Sequence, residues 1–555
     1  MKKRGAQIIV ESLIKHGVDT VFGYPGGQNI PIYDALYDRS EIKHILARHE
    51  QGAIHAADGY ARATGKIGVV FATSGPGATN LVTGLANANM DSIPLLAVTG
   101  QVPTHMIGND SFQEADIYGI TVPVTKYNYL VKDVAILERV LAEALHIAKS
   151  GRPGPVLIDV PKDIQTSEVT PNKSLEIRLP NYQPSIKGHS GQVIAAAKAI
   201  EMAERPVIYA GGGLIASGAS EELIKLAENF SIPVATTMMA KGIFPETHSL
   251  SLGMLGMHGT KYSNMAVAEA DLLIAVGTRF DDRVTGDPKY FATRAKIIHI
   301  DIDPAEIGKI KKSEIPIVGD AKKVLKAILE KLKYKKREKW IARITALKEE
   351  FPLSYKNSDK VIKPQFVIEQ LYELTKGKAI VTTDVGQHQM WAAQYYKSDT
   401  PRSFISSGGL GTMGFGFPAA IGAKIGCPEK TVINITGDGS FQMTIQEIAT
   451  AVHYRIPIKV AIINNGYLGM VRQWQELFFD KRYSETDLGV SPDFVKIADG
   501  YRAKGILIDK NEDVKPAIIK ALGMDDIVIM DFRVDREENV MPMIPPGGTI
   551  KNVLG

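Results

Sequence analysis

Short apolar runs of four to six residues alternate along the chain with longer stretches whose apolar positions recur every three or four residues. The runs at 68–72, 95–99 and 156–160 come first, then 206–210, 272–276 and 297–300, then 431–435 and 458–463. They are rich in Val, Ile and Leu and lack polar alternation, which predicts strands buried on both faces. The stretches between them predict helices, such as an amphipathic start (Ile8, Ile9, Leu13, Ile14) and a segment over 445–453. Strands alternating with helices predict an α/β protein built of three doubly wound parallel sheets, one per block.

The blocks divide as 1–166, 190–332 and 360–540, followed by a tail at 541–555. A polar stretch with Pro and Ser at 167–190 reads as a linker. The segment 333–359, dense in Lys, Arg and Glu, reads as a solvated helix with linker duty. A length of 555 residues suits about three or four domains. The net charge of +4 offers no broad basic field, so nucleic acid is excluded as a partner. Cys427 is the single cysteine, which rules out an intramolecular disulfide framework and fits a reducing compartment. No run approaches the roughly 18 apolar residues a membrane span needs. Glu11, Lys15 and His16 interrupt any signal-peptide core, and a cytoplasmic location is expected.

The chemistry concentrates at Asp438 and Asn465. Gly437-Asp438-Gly439-Ser440 follows one apolar strand, and Asn464-Asn465 closes the next, 27 positions from Asp438 to Asn465. Asp-Gly turns and Asn-Asn loops are each common. Here each directly follows a strand, which places both at the carboxyl ends of neighbouring parallel strands, where open α/β sheets bind ligands. A carboxylate and an amide oxygen among glycines suit Mg²⁺, whose remaining positions go to phosphate oxygens and water. The arrangement resembles that of thiamine diphosphate enzymes.

Further segments narrow the resemblance: 47–53 (Ala-Arg-His-Glu-Gln-Gly-Ala), 100–102, 279–284, 408–414, 469–474 and 542–547. With these the chain resembles, over essentially its whole length, the catalytic large subunit of acetohydroxyacid (acetolactate) synthase. That resemblance implies a pyrimidine-binding domain, a central FAD-binding domain and a diphosphate-binding domain. It implies thiamine diphosphate, Mg²⁺ and a non-redox FAD as cofactors. The activity it implies is decarboxylation of pyruvate and transfer of the two-carbon unit to a second pyruvate or to 2-ketobutyrate, the first common step toward valine, leucine and isoleucine. It also implies a homodimer or higher homo-oligomer with active sites between subunits, and a separate small regulatory subunit. A pyruvate oxidase-like FAD enzyme is the alternative, and an FAD-free acetolactate synthase or a non-catalytic subunit on the same scaffold are further rivals.

Residue roles follow from the same resemblance. Glu50 hydrogen-bonds the aminopyrimidine ring and starts a proton relay through the cofactor; its neighbour His49 is no zinc-protease motif, because the second His would fall at Ala53. Gln113 and Lys162 stand near the active centre. Met413 supports the bent cofactor, with Gly439, Ser440 and Met470 also against it. Asp438, Asn465 and the carbonyl of Tyr467 hold the metal. Arg283 takes the substrate carboxylate, although from pattern alone it would pair with Asp281 or Asp282. Trp474 forms an apolar wall favouring 2-ketobutyrate, with Phe112, Val385, Met257 and Met470 completing the pocket. The FAD set is Arg152, Gly211, Gly212, Thr237, Met257, His258, Gly277, Arg279, Asp281, Arg283, Val284, Asp301, Ile302 and Asp320; Gly211 to Ala216 loosely fits a dinucleotide turn. The turn 74–80 lacks the Gly-Lys-Ser/Thr ending of a nucleotide loop and reads as lining the pyrimidine side. His44, His49 and His55, five and six residues apart, scatter around a helix and read as solvated or structural.

Overall fold

A computed structural model describes residues 2–171, 177 and 179–555. Part of the linker expected at 167–190 therefore lies outside the described residues. Three six-stranded, fully parallel sheets carry the fold. The first contains β1 (Thr20–Gly23), β2 (Lys43–Leu46), β3 (Gly68–Ala72), β4 (Leu95–Gln101), β5 (Tyr127–Leu130) and β6 (Pro155–Pro161). The second contains β7 (Pro206–Ala210), β8 (Val234–Thr236), β9 (Ser251–Met254), β10 (Leu272–Val276), β11 (Lys296–Asp301) and β12 (Ile315–Val318). The third contains β13 (Ile380–Thr383), β14 (Phe404–Ile405), β15 (Val432–Gly437), β16 (Ile458–Asn464), β17 (Lys504–Ile508) and β18 (Val528–Arg533).

The first sheet runs β2-β1-β3-β4-β6-β5 and the third β14-β13-β15-β16-β18-β17, the same order in both. The middle sheet runs β9-β8-β7-β10-β11-β12, a doubly wound order whose switch point lies between β7 and β10. Central strands such as β4, β10 and β16 are buried along their whole length, which is why their sequences show no alternation. No helix among the described residues is long and apolar enough to cross a membrane.

The charged segment 333–359 is more than a solvated linker. Helix Glu338–Glu350 buries Trp340, Ile344 and Leu347 in the core of the central block, and Trp340 Nε1 donates to the Pro206 carbonyl at 3.0 Å. Arg337, also buried, donates to the carbonyls of Ala203, Ile200 and Phe230. Three apolar residues at i, i+4 and i+7 make a sufficient stripe, and the surrounding charges obscured it.

The first and third blocks meet through helices Glu50–Thr64 and Gly416–Gly426. A Cβ on Gly422 would stand 1.8 Å from the Ala56 carbonyl oxygen, and one on Gly59 would stand 2.1 Å from that of Ala419. Only hydrogen fits at this crossing. Gly422→Ala is expected to destabilise the protein by about 3 kcal/mol or more, since the obstacle is backbone and neither helix can yield alone. Chemical denaturation measures it, and a loss below about 1 kcal/mol would show that the crossing tolerates separation.

Candidate active site

Nearly every expected site residue follows the carboxyl end of a strand. Glu50 comes after β2, Phe112 and Gln113 after β4, and Lys162 directly after β6. Gly211, Thr237, Met257, Gly277, Ile302 and Asp320 follow β7 to β12 in turn, and Asp301 ends β11. Val385, Met413, Asp438 and Asn465 follow β13, β14, β15 and β16. Parallel strands place all such residues of one sheet along one edge, where ligands bind.

Pairing of Gly437 with Ile463 in the β15–β16 ladder brings Asp438 beside Asn465. Asp438 is 1% exposed, and its Oδ2 is buried with no hydrogen-bond partner among the described residues. Burial pushes its carboxyl up to about 6, against the opposing effect of the Asn465 backbone N–H. Asn465 Oδ1 accepts the Tyr467 amide at 3.1 Å, and Asn465 Nδ2 donates to Gln387 at 3.1 Å. The Tyr467 ring lies between the guanidinium groups of Arg472 and Arg536. Ser440 Oγ donates to the Val385 carbonyl at 3.1 Å. A Cβ on Gly439 would stand 3.1 Å from Leu468 and 3.3 Å from Leu488, with Met413 at 4.0 Å, so apolar side chains crowd the turn beside Asp438. Gly411 and Gly414 have φ of +71° and +86°, the left-handed conformation that favours glycine, and carry the chain through Met413. Met470 packs against the third core from its edge.

Glu50 opens its helix, and His49 caps it by accepting the Gln51 amide at 3.1 Å. Asn80 Nδ2 donates to Glu50 Oε2 at 3.0 Å. The second oxygen, Oε1, stands 3.1 Å from where a Cβ on Gly77 would be. Gln113, at φ +57°, presses its backbone against Gly75 of the same turn. The structure thus gathers Glu50, Gln113 and the 74–80 turn. Among the described residues the side-chain hydrogen-bond partner of Glu50 is Asn80, outside the Asp438 group. Phe112 is 84% exposed, so one chain does not enclose it in the pocket expected with Trp474.

Arg283 and Trp474 do meet, although one follows the central sheet and the other the third. The guanidinium lies 5.6 Å from the indole ring centre. Arg283 Nη1 also stands 3.6 Å from Asp282, a loose pair at the surface, while the Asp281 carboxylate accepts the Arg283 backbone amide at 2.9 Å and makes no ion pair with its guanidinium among the described residues. Burial and the neighbouring Asp282 hold the Asp281 carboxyl above its ordinary value. The tail packs beside this pair: Ile544 N–H donates to the Met257 carbonyl at 2.9 Å, and Met257 N–H to the Arg283 carbonyl at 2.7 Å. Val284 lines a small cavity here with Met257, Arg283 and Ile544. His258 is buried beside the tail, and burial brings its ring down to about 4.

A cavity of about 970 Å³ opens between the first and central blocks. Arg152, Arg279 and Ile302 line it together with Lys126, Lys309 and Leu410. Arg152 is held by Glu306 at 2.7 Å and Asp303 at 3.2 Å. At the switch point, Cβ atoms on Gly211 and Gly213 would strike the backbone of Gly277, so the two strand-end turns touch through glycine. Gly212 opens the helix after this turn, and Asp320 caps helix Ala321–Leu329. Thr237 Oγ1 is buried without a partner among the described residues. Burial pushes the Asp301 carboxyl up to about 6.

Three family models of thiamine pyrophosphate enzymes match the chain: the N-terminal TPP binding domain over residues 3–120, the central domain over 193–328 and the C-terminal TPP binding domain over 384–532. A probable acetolactate synthase large subunit from Methanocaldococcus jannaschii is 53% identical, the match covering 99% of this chain and 95% of the relative. An acetolactate synthase from Mycobacterium bovis and an acetolactate synthase large subunit from Corynebacterium glutamicum are each 52% identical, over 98% and 99% of this chain and 90% of the relatives. The chain belongs to the acetolactate synthase large-subunit family.

As a member of that family it is a thiamine diphosphate enzyme, and its site includes residues that sequence reasoning passed over. Gln387 bonds Asn465, Gln473 and the Glu538 carbonyl, joining the loop after β16 to the end of the third block. Asp384, fully buried, accepts from Gly414 at 2.7 Å and Thr436 at 3.0 Å and so fixes the loop after Met413. Glu447 accepts from the Arg48 amide at 3.0 Å and packs under Gly52, seating the start of the Glu50 helix. None of the three carries a local signal, because the partners lie tens to hundreds of residues apart. His55, read as solvated or structural, is buried edge-on to Phe415.

Proposed function

We propose that the enzyme joins two pyruvates into 2-acetolactate and pyruvate with 2-ketobutyrate into 2-aceto-2-hydroxybutyrate, with loss of carbon dioxide. The observation that carries this reading is the buried, unpartnered Asp438 oxygen beside Asn465, within a family match that spans the chain. Bound thiamine diphosphate supplies the carbanion chemistry that breaks and makes the carbon–carbon bonds. Asp438, Asn465 and the Tyr467 carbonyl fit Mg²⁺: all are hard oxygen donors, too few to fill an octahedron, which leaves positions for diphosphate oxygens. The left-handed glycines beside Met413, Gly411 and Gly414, fit close approach of the cofactor itself. Glu50 holds the proton at the cofactor's ring nitrogen, its Oε2 kept in place by Asn80.

Arg283 fits the substrate carboxylate, since its guanidinium is tethered only loosely to Asp282. Trp474 beneath it forms the apolar wall for the acceptor's alkyl group, and the tail beside it would keep water out of the site. Trp474→Leu is expected to lower the preference for 2-ketobutyrate over pyruvate about tenfold, as the loss of one well-fitted methylene contact does. A competition assay measuring both products checks it; an unchanged ratio removes Trp474 from the acceptor pocket.

The large cavity fits FAD, with Arg152 and Arg279 for its anionic centre and the Gly211–Gly277 contact at the sheet's switch point. The flavin would be structural. Two copies of the chain complete the site: Glu50 is partnered within the first block and Asp438 within the third, and exposed Phe112 awaits a cover. The relatives' designation as large subunits supports a smaller regulatory partner. Feeding pyruvate with and without air tests the reaction. Acetolactate formation without oxygen uptake is expected; oxygen uptake or flavin reduction coupled to turnover would establish the pyruvate oxidase reading instead.

A further inference from the structure

The loop 406–415, between β14 and helix Gly416–Gly426, borders both the large cavity and the Asp438 region. Leu410 lines the large cavity with Arg279, while Met413 approaches Gly439 and the Gly414 amide donates to Asp384. The loop contains four glycines and no helix or strand, so its own backbone does not fix its shape.

What fixes it comes from two helices of the first block. Asp91 ends helix Val82–Asp91 with its side chain fully buried, and its two oxygens accept the amides of Gly408 at 3.0 Å and Gly409 at 2.7 Å. Arg62, on the helix that Glu50 opens, donates to Asp91 at 2.9 Å and to the Ser406 carbonyl at 2.9 Å, and lies 5.2 Å from the Phe415 ring centre. Asp58 holds Arg62 from the other side. Asn87 accepts the Ser407 hydroxyl at 2.6 Å, and that hydroxyl accepts the Thr412 amide at 2.8 Å. Two buried carboxylates share one guanidinium, so the surplus negative charge at Asp91 rests on the two glycine amides. Such charged, buried bonds are strong and leave a heavy penalty when one partner is removed. Gly409 has no room for a side chain between Met90, Asp91 and Arg279.

We propose that Asp91 is a positioning residue that sets the loop in the shape both cofactor sites require. The inference rests on the assignments of the Asp438 region to thiamine diphosphate and of the large cavity to FAD. Asp91→Asn removes the charge and turns an amide group toward a glycine N–H; Asp58→Asn perturbs the same ionic cluster but leaves both glycine bonds in place. By titration calorimetry of the cofactor-free protein at saturating Mg²⁺, Asp91→Asn should raise the Kd for thiamine diphosphate about tenfold or more, with Asp58→Asn within about twofold of the parent. The Kd for FAD should rise in the same variant and not in Asp58→Asn. Parent-like thiamine diphosphate binding by Asp91→Asn, or equal weakening by Asp58→Asn, overturns the proposal. A parent protein that binds no FAD would refute only the flavin assignment, the thiamine measurement still deciding the role of Asp91. Should Asp91→Asn fail to fold, Ser407→Ala breaks the loop's neutral tie, and a Kd raised less than about threefold overturns the proposal equally.

Discussion

Replacing Glu50 with Gln lowers kcat for acetolactate formation by about two to three orders of magnitude and leaves the affinity for thiamine diphosphate within a few-fold of the parent. Gln has the same length and keeps an oxygen for Asn80 Nδ2, so the 3.0 Å bond and the start of the helix survive. The charge at a helix first turn contributes only about 0.3–1 kcal/mol, too little to unfold a domain. What the amide cannot do is hold and release a proton at the cofactor's ring nitrogen. Steady-state kinetics gives the fall in kcat and calorimetry gives the Kd. Full activity in the variant would remove the proton role from Glu50, and a large rise in Kd with unchanged kcat would make the residue a binding contact instead.

The contrast between Glu50 and its surroundings indicates what a sequence exposes. Strands β3, β4, β10 and β16 were readable because a strand buried on both faces has to be continuously apolar, and parallel pairing then places Asp438 beside Asn465 without further information. The match of site residues to strand ends has the same origin. The segment around helix Glu338–Glu350 read as a solvated helix, and its packing into the central core was missed because the stripe of Trp340, Ile344 and Leu347 is narrow and set among lysines and glutamates. Asp91, Glu447 and Asp384 were invisible for another reason. Each is an ordinary acidic residue in its own segment and gains its role from backbone amides elsewhere: Asp91 from Gly408 and Gly409, Glu447 from Arg48. Gly59 and Gly422 belong with them, since only the crossing of two helices distant in sequence explains why a hydrogen is required at each. Phe112 was expected against Trp474, and the single chain leaves it in the open.

Asp438→Asn should abolish Mg²⁺-dependent binding of thiamine diphosphate and, in the metal-free protein at pH 8, increase stability. Both effects have one cause. Burial lifts the Asp438 carboxyl from the ordinary 3.8 to about 6, and one of its oxygens has no partner. A raised carboxyl pKa means that the folded state holds the proton more tightly than the unfolded state. Folding stability of the metal-free protein therefore falls as pH rises from about 4 to about 6 and is level above that window. The full loss is at most about 3 kcal/mol, because each tenfold difference in proton affinity between the folded and unfolded states is worth about 1.4 kcal/mol. A neutral amide escapes this penalty, so the variant gains what the parent lost. A bound cation reverses the balance by engaging the ionised carboxylate; metal affinity in the parent should then weaken about tenfold for each pH unit below 6. Denaturation of the metal-free proteins at pH 4 and pH 8 separates the cases: the two should differ little at pH 4 and the variant should lead at pH 8. A variant less stable at pH 8, or one that still binds the cofactor with Mg²⁺, would mean that the unpartnered oxygen of Asp438 serves packing and not the metal.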